Sequence, residues 1–171
     1  GPRGAGRVEA EGLTDRTDVI MGTYSKALGG FGAYVAATRE IVDYLVNAAR
    51  SFIYSTAPPP AVTAANLAAV ELCLDGLERG PELLERAGHL REKLRQSGWR
   101  AGGSSQILPL TVGESEEALR LGNGLRDRGF LAVPVRPPTV PEGEARLRLS
   151  LSWAHEEDEL DALAEALDEL R

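Results

Sequence analysis

The chain is poor in several things. Its one cysteine, Cys73, excludes an internal disulfide, and no Cys/His group has the spacing of a zinc site. A reducing, cytoplasmic setting is the expectation that follows. No apolar run approaches the roughly 18 residues that a membrane-crossing helix needs. Basic charge is scarce: 19 Lys and Arg against 26 Asp and Glu leave a net charge of −7. Without a basic footprint to meet phosphates, a nucleic-acid-binding domain is excluded. The opening Gly1-Pro2-Arg3-Gly4 has no initiator Met and no apolar stretch of a signal peptide. It reads as the start of the C-terminal portion of a longer protein.

What is present suits a folded chain. Hydrophobic residues make up 43% and charged residues 26% of 171, which excludes a wholly disordered polypeptide. The first 17 residues show no periodicity and read as a surface loop. Residues 18–23 form a run of strand length, residues 25–32 a glycine-rich turn, and residues 33–37 a second strand. Ile41, Leu45 and Ala48 fit a helix, residues 51–56 a short β-prone run, and residues 61–77 a helix with so few charges that burial on most sides is expected. Gly80-Pro81 should break it. Beyond lie an amphipathic helix over 82–96 with Leu83, Ala87, Leu90 and Leu94 on one stripe, a strand over 106–112, and a helix over 114–128 closed by Gly129. Strands over 130–135 and 145–152 and a helix over 156–170 follow, the last with Leu160, Leu163, Leu167 and Leu170 inward.

Alternating strands and helices predict an α/β fold. The best boundary lies near Gly80-Pro81, giving residues 1–80 as part of a larger sheet domain and 81–171 as a small α/β unit. Trp99, Trp153 and Cys73 read as packing residues, and His89 and His155 as surface positions on helices.

The two lysines differ in surroundings. Lys93 sits among Arg91, Glu92 and Arg95 on an amphipathic helix and reads as a solvated charge. Lys26 lies in Thr23-Tyr-Ser-Lys-Ala-Leu-Gly-Gly-Phe-Gly32. A lysine that condenses with an aldehyde needs a fixed position, a nearby hydroxyl for an anionic group, and glycines that let the backbone pass close to a ligand. A strand ending at Thr23, followed at once by Lys26, delivers both side chains to one rim. The same spacing also occurs in plain turns.

Taken with three further stretches, the segment resembles the cofactor-lysine motif of the α-oxoamine synthases, pyridoxal-phosphate enzymes of the aspartate-aminotransferase-like fold. Asp43-Tyr-Leu with Phe52-Ile-Tyr-Ser-Thr56, Arg136-Pro-Pro-Thr139-Val-Pro, and Ala145-Arg-Leu-Arg148-Leu-Ser-Leu follow in the family's order. The resemblance implies the end of the large cofactor-binding domain over residues 1–80 and the small C-terminal domain over 81–171. It implies that Lys26 carries pyridoxal 5'-phosphate and moves the proton at the substrate Cα, with Thr23 a cofactor contact. Ser55 and Thr56 match hydroxyls that reach the phosphate held in a partner subunit, hence a homodimer. Thr139 matches a substrate contact. Arg148 matches the arginine that grips the amino-acid carboxylate through its planar fork. Alternation puts Arg146 on the same face, and only the family pattern prefers Arg148, leaving Arg146 a surface residue.

The implied reaction condenses an amino acid, L-alanine in the member most similar in its C-terminal motifs, with pimeloyl-CoA or a similar thioester in biotin synthesis. A sister synthase taking glycine or serine, such as 2-amino-3-ketobutyrate CoA ligase, and a non-catalytic folded fragment remain as alternatives. The family pattern expects an aspartate, a histidine and a serine upstream of Gly1, so this chain alone is expected to be nearly inactive.

Overall fold

The computed structural model describes residues 6–171. The chain divides into two units between Glu78 and Arg79. In the first, the charged opening is not a continuous loop. It winds a short helix α1 (Arg7–Ala10) and a 3-10 turn over Thr14–Arg16, while residues 1–5 of the expected loop lie outside the described residues. An Arg7–Glu11 ion pair at 2.8 Å spans one helical turn, and Thr17 Oγ1 donates to the Leu13 carbonyl at 2.8 Å. Such local bonds make a turn without any apolar periodicity.

Strands β1 (Val19–Thr23) and β2 (Ala33–Ala37) pair antiparallel, Val19 opposite Ala37 and Thr23 opposite Ala33. The intervening turn closes on itself. Tyr24 N–H donates to Gly32 O at 3.0 Å, Gly30 N–H to Tyr24 O at 2.8 Å, and Gly29 N–H to Lys26 O at 3.1 Å. Gly29 at φ 62° takes the left-handed conformation this path requires. Helix α2 (Arg39–Ala48) follows, its first turn carrying an Arg39–Asp43 pair at 2.8 Å.

The β-prone run after it corrects the expectation: α3 (Arg50–Ile53) is helical. Phe52 and Ile53 N–H both donate to Ala49 O at 2.9 Å. A β-prone segment without a strand beside it satisfies its backbone locally. Helix α4 (Pro60–Asp75) is where expected, with prolines at its start, but it is not buried on most sides. Leu67, Leu72 and Leu74 are exposed, and among the described residues of this unit only Asn66 and Gly76 are buried. Uniform apolarity specifies no inward face, and no described residue of the unit buries this one. Cys73 is likewise exposed and packs no core.

The second unit starts on α5 (Arg79–Gln96). Gly80-Pro81 lies inside its first turn, not at a break, because proline is tolerated where N–H groups have no helical partner. Strands β3 (Arg100–Ala101) and β4 (Ile107–Gly113), helix α6 (Ser115–Asp127), strands β5 (Val133–Val135) and β6 (Ala145–Ser150), and helix α7 (Glu157–Glu169) complete it. The sheet order is β3-β4-β6-β5, all antiparallel. The two-residue β3 was not legible beforehand. The strand expected from Phe130 begins only at Val133, since Phe130 N–H donates back to Leu125 O at 2.9 Å and wraps the end of α6.

Leu108 and Leu110 of β4 and Ala145, Leu147 and Leu149 of β6 are buried, their alternate neighbours less so. Period-two burial means one covered face. Ala87, Leu90 and Leu94 of α5, Leu121 and Leu125 of α6, and Leu160, Leu163 and Leu167 of α7 cover it in a single core, and Leu170 is half-buried against it. Every buried apolar residue of the described chain lies between Ala87 and Leu167. Trp99 packs on this core with Nε1–H donating to Asp168 at 2.7 Å. Trp153 lies at the surface under the Arg79 guanidinium, 4.9 Å from its ring centroid. Among the described residues no single helix is long and apolar enough to cross a membrane.

Candidate active site

Thr23 is the last residue of β1 and Lys26 lies in the turn that begins beyond it. Lys26 Nζ donates to Thr23 Oγ1 at 2.9 Å. Lys26 is exposed and Thr23 half-buried, and the amine pairs with no carboxylate among the described residues. Both features suit covalent chemistry. The hydroxyl partner orients the amine, and no carboxylate among the described residues competes for it.

Ser55 and Thr56 lie just past α3 on exposed backbone. Ser55 Oγ donates to Ser51 O at 2.6 Å, and neither residue hydrogen-bonds Thr23 or Lys26. The structure thus brings together the first pair of expected residues and leaves the second pair apart from it.

In the second unit, Thr139 follows the cis Pro137–Pro138 peptide bond, exposed, with its N–H donating to Arg136 O at 3.0 Å. Arg148 sits mid-strand in β6 between Pro109 of β4 and Val133 of β5. The two strand arginines differ in their surroundings. Arg146 is half-buried and committed: its Nε–H donates to Glu144 O at 2.9 Å and an Nη–H to the Glu144 carboxylate at 3.1 Å. It is a structural residue, not a plain surface one. The Arg148 guanidinium is exposed and has no ion pair or side-chain hydrogen bond among the described residues. It borders a groove of about 500 Å³ with Val133, Leu163, His155 and Glu159. His155 Nδ1 accepts from Ser152 N–H at 3.2 Å, and Glu156 begins the helix behind it. No group of His, Cys, Asp or Glu among the described residues could hold a metal ion.

One residue of consequence escaped the sequence reading. Asn66 is the one polar residue buried among the described residues, and it bonds the backbone of the lysine-bearing turn. The available signal was a lone carboxamide in the middle of an Ala/Leu-rich helix, a position where Asn is otherwise unfavourable.

Two solved structures share this architecture. The serine palmitoyltransferase of Sphingomonas wittichii superposes with a TM-score of 0.93 at 24% identity, over 99% of this chain and 43% of its own. A serine palmitoyltransferase of S. paucimobilis, solved with bound PLP and myriocin, gives 0.90 at 26% identity, over 99% and 44%. The fold is that of the pyridoxal-phosphate-dependent transferases.

The family model for aminotransferase class I and II matches residues 3–167, and the chain belongs to that family. A curated relative, the 8-amino-7-oxononanoate synthase of Citrifermentans bemidjiense, is 43% identical over 173 residues, covering 99% of this chain and 44% of the relative. The chain spans less than half the length of the relatives it matches.

Proposed function

We propose that this chain carries the cofactor lysine and the C-terminal substrate-binding part of a pyridoxal-phosphate-dependent α-oxoamine synthase. The reaction is the condensation of L-alanine with pimeloyl-CoA, or a similar acyl thioester, with loss of carbon dioxide to give 8-amino-7-oxononanoate. The Lys26 amine beside the Thr23 hydroxyl, with no carboxylate paired to it among the described residues, is the observation that carries this reading.

The residues fit the cofactor. An amine held by a hydroxyl meets its aldehyde, that hydroxyl can donate to an anionic oxygen, and a glycine turn leaves room for a ring. When bound, the cofactor supplies an electron-withdrawing ring that makes the substrate Cα proton acidic. Lys26 Nζ takes that proton and later returns one to the same carbon. Thr23 orients the amine. Arg148, unpaired at its groove, binds the amino-acid carboxylate with two parallel hydrogen bonds, while Arg146 holds the preceding loop through Glu144. Thr139 contacts the substrate.

By the family pattern, Ser55 and Thr56 reach the phosphate of a cofactor held by a second subunit, which makes the protein a homodimer. The family pattern puts further site residues upstream of Gly1, so the chain alone is proposed to turn over little substrate. A second reading, a sister synthase that takes serine or glycine, is favoured only by the fold shared with serine palmitoyltransferase.

Incubation with pyridoxal 5'-phosphate followed by borohydride reduction and peptide mass mapping tests the assignment. The adduct is expected on Lys26 and absent in Lys26→Ala. An adduct on Lys93 at equal yield, or none on Lys26, overturns it. Comparing L-alanine, glycine and L-serine with the full-length parent separates the two synthase readings.

A further inference from the structure

A carboxamide buried in an apolar helix loses its hydration, a cost that hydrogen bonds offset. Asn66 makes one as donor and one as acceptor, both to a single residue. Its Nδ2 donates to the Phe31 carbonyl at 2.9 Å, and its Oδ1 accepts from the Phe31 N–H at 3.3 Å. Holding both backbone groups of one residue fixes that peptide much as a pairing strand would.

The neighbouring glycine is matched to this contact. A Cβ on Gly30 would overlap Asn66 Oδ1 and crowd Cβ of Tyr24 at 3.3 Å. Gly30 does not lie in the left-handed region, so the missing side chain, not backbone freedom, is what the place demands. Phe31 in turn sits between Gly30 and Gly32, whose backbones bond Tyr24 from both sides, at 2.8 and 3.0 Å. Lys26 rides on the loop so closed.

We propose that Asn66 is a positioning residue for Lys26: from α4 it clamps the closing end of the glycine turn and so holds the lysine amine beside Thr23. This rests on reading Lys26 as the amine that meets the cofactor aldehyde. The clamp has no reactive role. It removes freedom from the turn before the aldehyde arrives, so that little ordering remains to be done on capture. The need is real in a unit where only Asn66 and Gly76 are buried among the described residues.

The test uses pyridoxal 5'-phosphate as the probe, with absorbance titration and borohydride mapping of the adduct on four variants. Asn66→Leu keeps the branching at Cγ and favours the helix but removes both bonds. Loss of two ordinary hydrogen bonds corresponds to about a tenfold weaker capture at Lys26. Far-ultraviolet circular dichroism should stay unchanged, and amide exchange at Phe31 should rise above its rate in the unaltered chain. Gly30→Ala should also weaken capture, and Asn66→Ala should cost less in the Gly30→Ala background than alone, because it removes the atom the new methyl strikes. That comparison holds even if Asn66→Leu disturbs the helix. Capture at Lys26 that is indifferent to Asn66→Leu, or strictly additive effects in the double variant, overturns the clamp and leaves the lysine assignment standing. No capture at Lys26 in the unaltered chain overturns both.

Discussion

Arg146 and Arg148 illustrate how neighbouring identical side chains acquire different work. Both point away from the buried leucines of β6, yet one is held by Glu144 and the other by nothing in the described chain. Arg146→Ala removes charged hydrogen bonds at a half-buried position and should lower the stability of the second unit by about 1 kcal/mol. Arg148→Ala should stay within about 0.5 kcal/mol of the parent, as surface changes away from structural contacts do. Chemical denaturation of the two variants checks the contrast. Equal losses would mean that Arg148 is a structural residue after all. Glu117 offers a second readout on the same unit. Hydrogen bonds from the Arg120 guanidinium, at 2.6 and 2.7 Å, hold its carboxyl below the ordinary value. A carboxyl lowered in this way stabilises the fold above its unfolded value and loses that contribution as the pH falls through the folded one. In an NMR titration Arg120→Ala should move Glu117 back upward.

Among the elements, α7 is the most fully specified. Glu156 accepts from the backbone of the first turn, while the Glu159 carboxylate accepts from Glu156 N–H at 3.0 Å, and Glu157, Asp158 and Glu159 place negative charge at the positive end of the helix. Its leucines then fall inward by period. Glu156→Ala should cost about 1 kcal/mol, measured as a shift in the thermal midpoint of the second unit. Helix α4 is the opposite case. Its residues are good helix formers, but their apolarity is uniform, so its boundaries were readable and its exposure was not. Helix α3 shows a third outcome: Phe52, Ile53 and Tyr54 favour a strand only when another strand lies alongside, and here none does.

Among the described residues, the buried apolar side chains are all on one side of the Glu78–Arg79 division. An isolated two-stranded hairpin is marginal in water. Amide exchange should therefore be fast over β1 and β2 and slow over β4 and β6, with Leu108 and Leu147 among the last to exchange. Leu147→Ala should destabilise the second unit by about 2–5 kcal/mol, the range for a filled leucine site emptied to alanine. Hydrogen-exchange mass spectrometry of the chain reads both effects at once. Uniform protection across the chain would show that the first unit is stabilised by something beyond its own buried residues.

Order along the chain and the period of the core-facing stripes in the second unit followed from sequence alone, because these depend on nearest neighbours and on residue type. The α/β class and the place of the lysine on a glycine turn after a strand were legible for that reason. Which apolar helix would be covered, where Phe130 would leave its strand, how Arg146 would be occupied, and that a carboxamide 35 residues downstream would hold the turn beyond Lys26 were decided only in three dimensions. Each depends on a partner distant in sequence, and burial or a hydrogen bond exists only once the chain has brought that partner near.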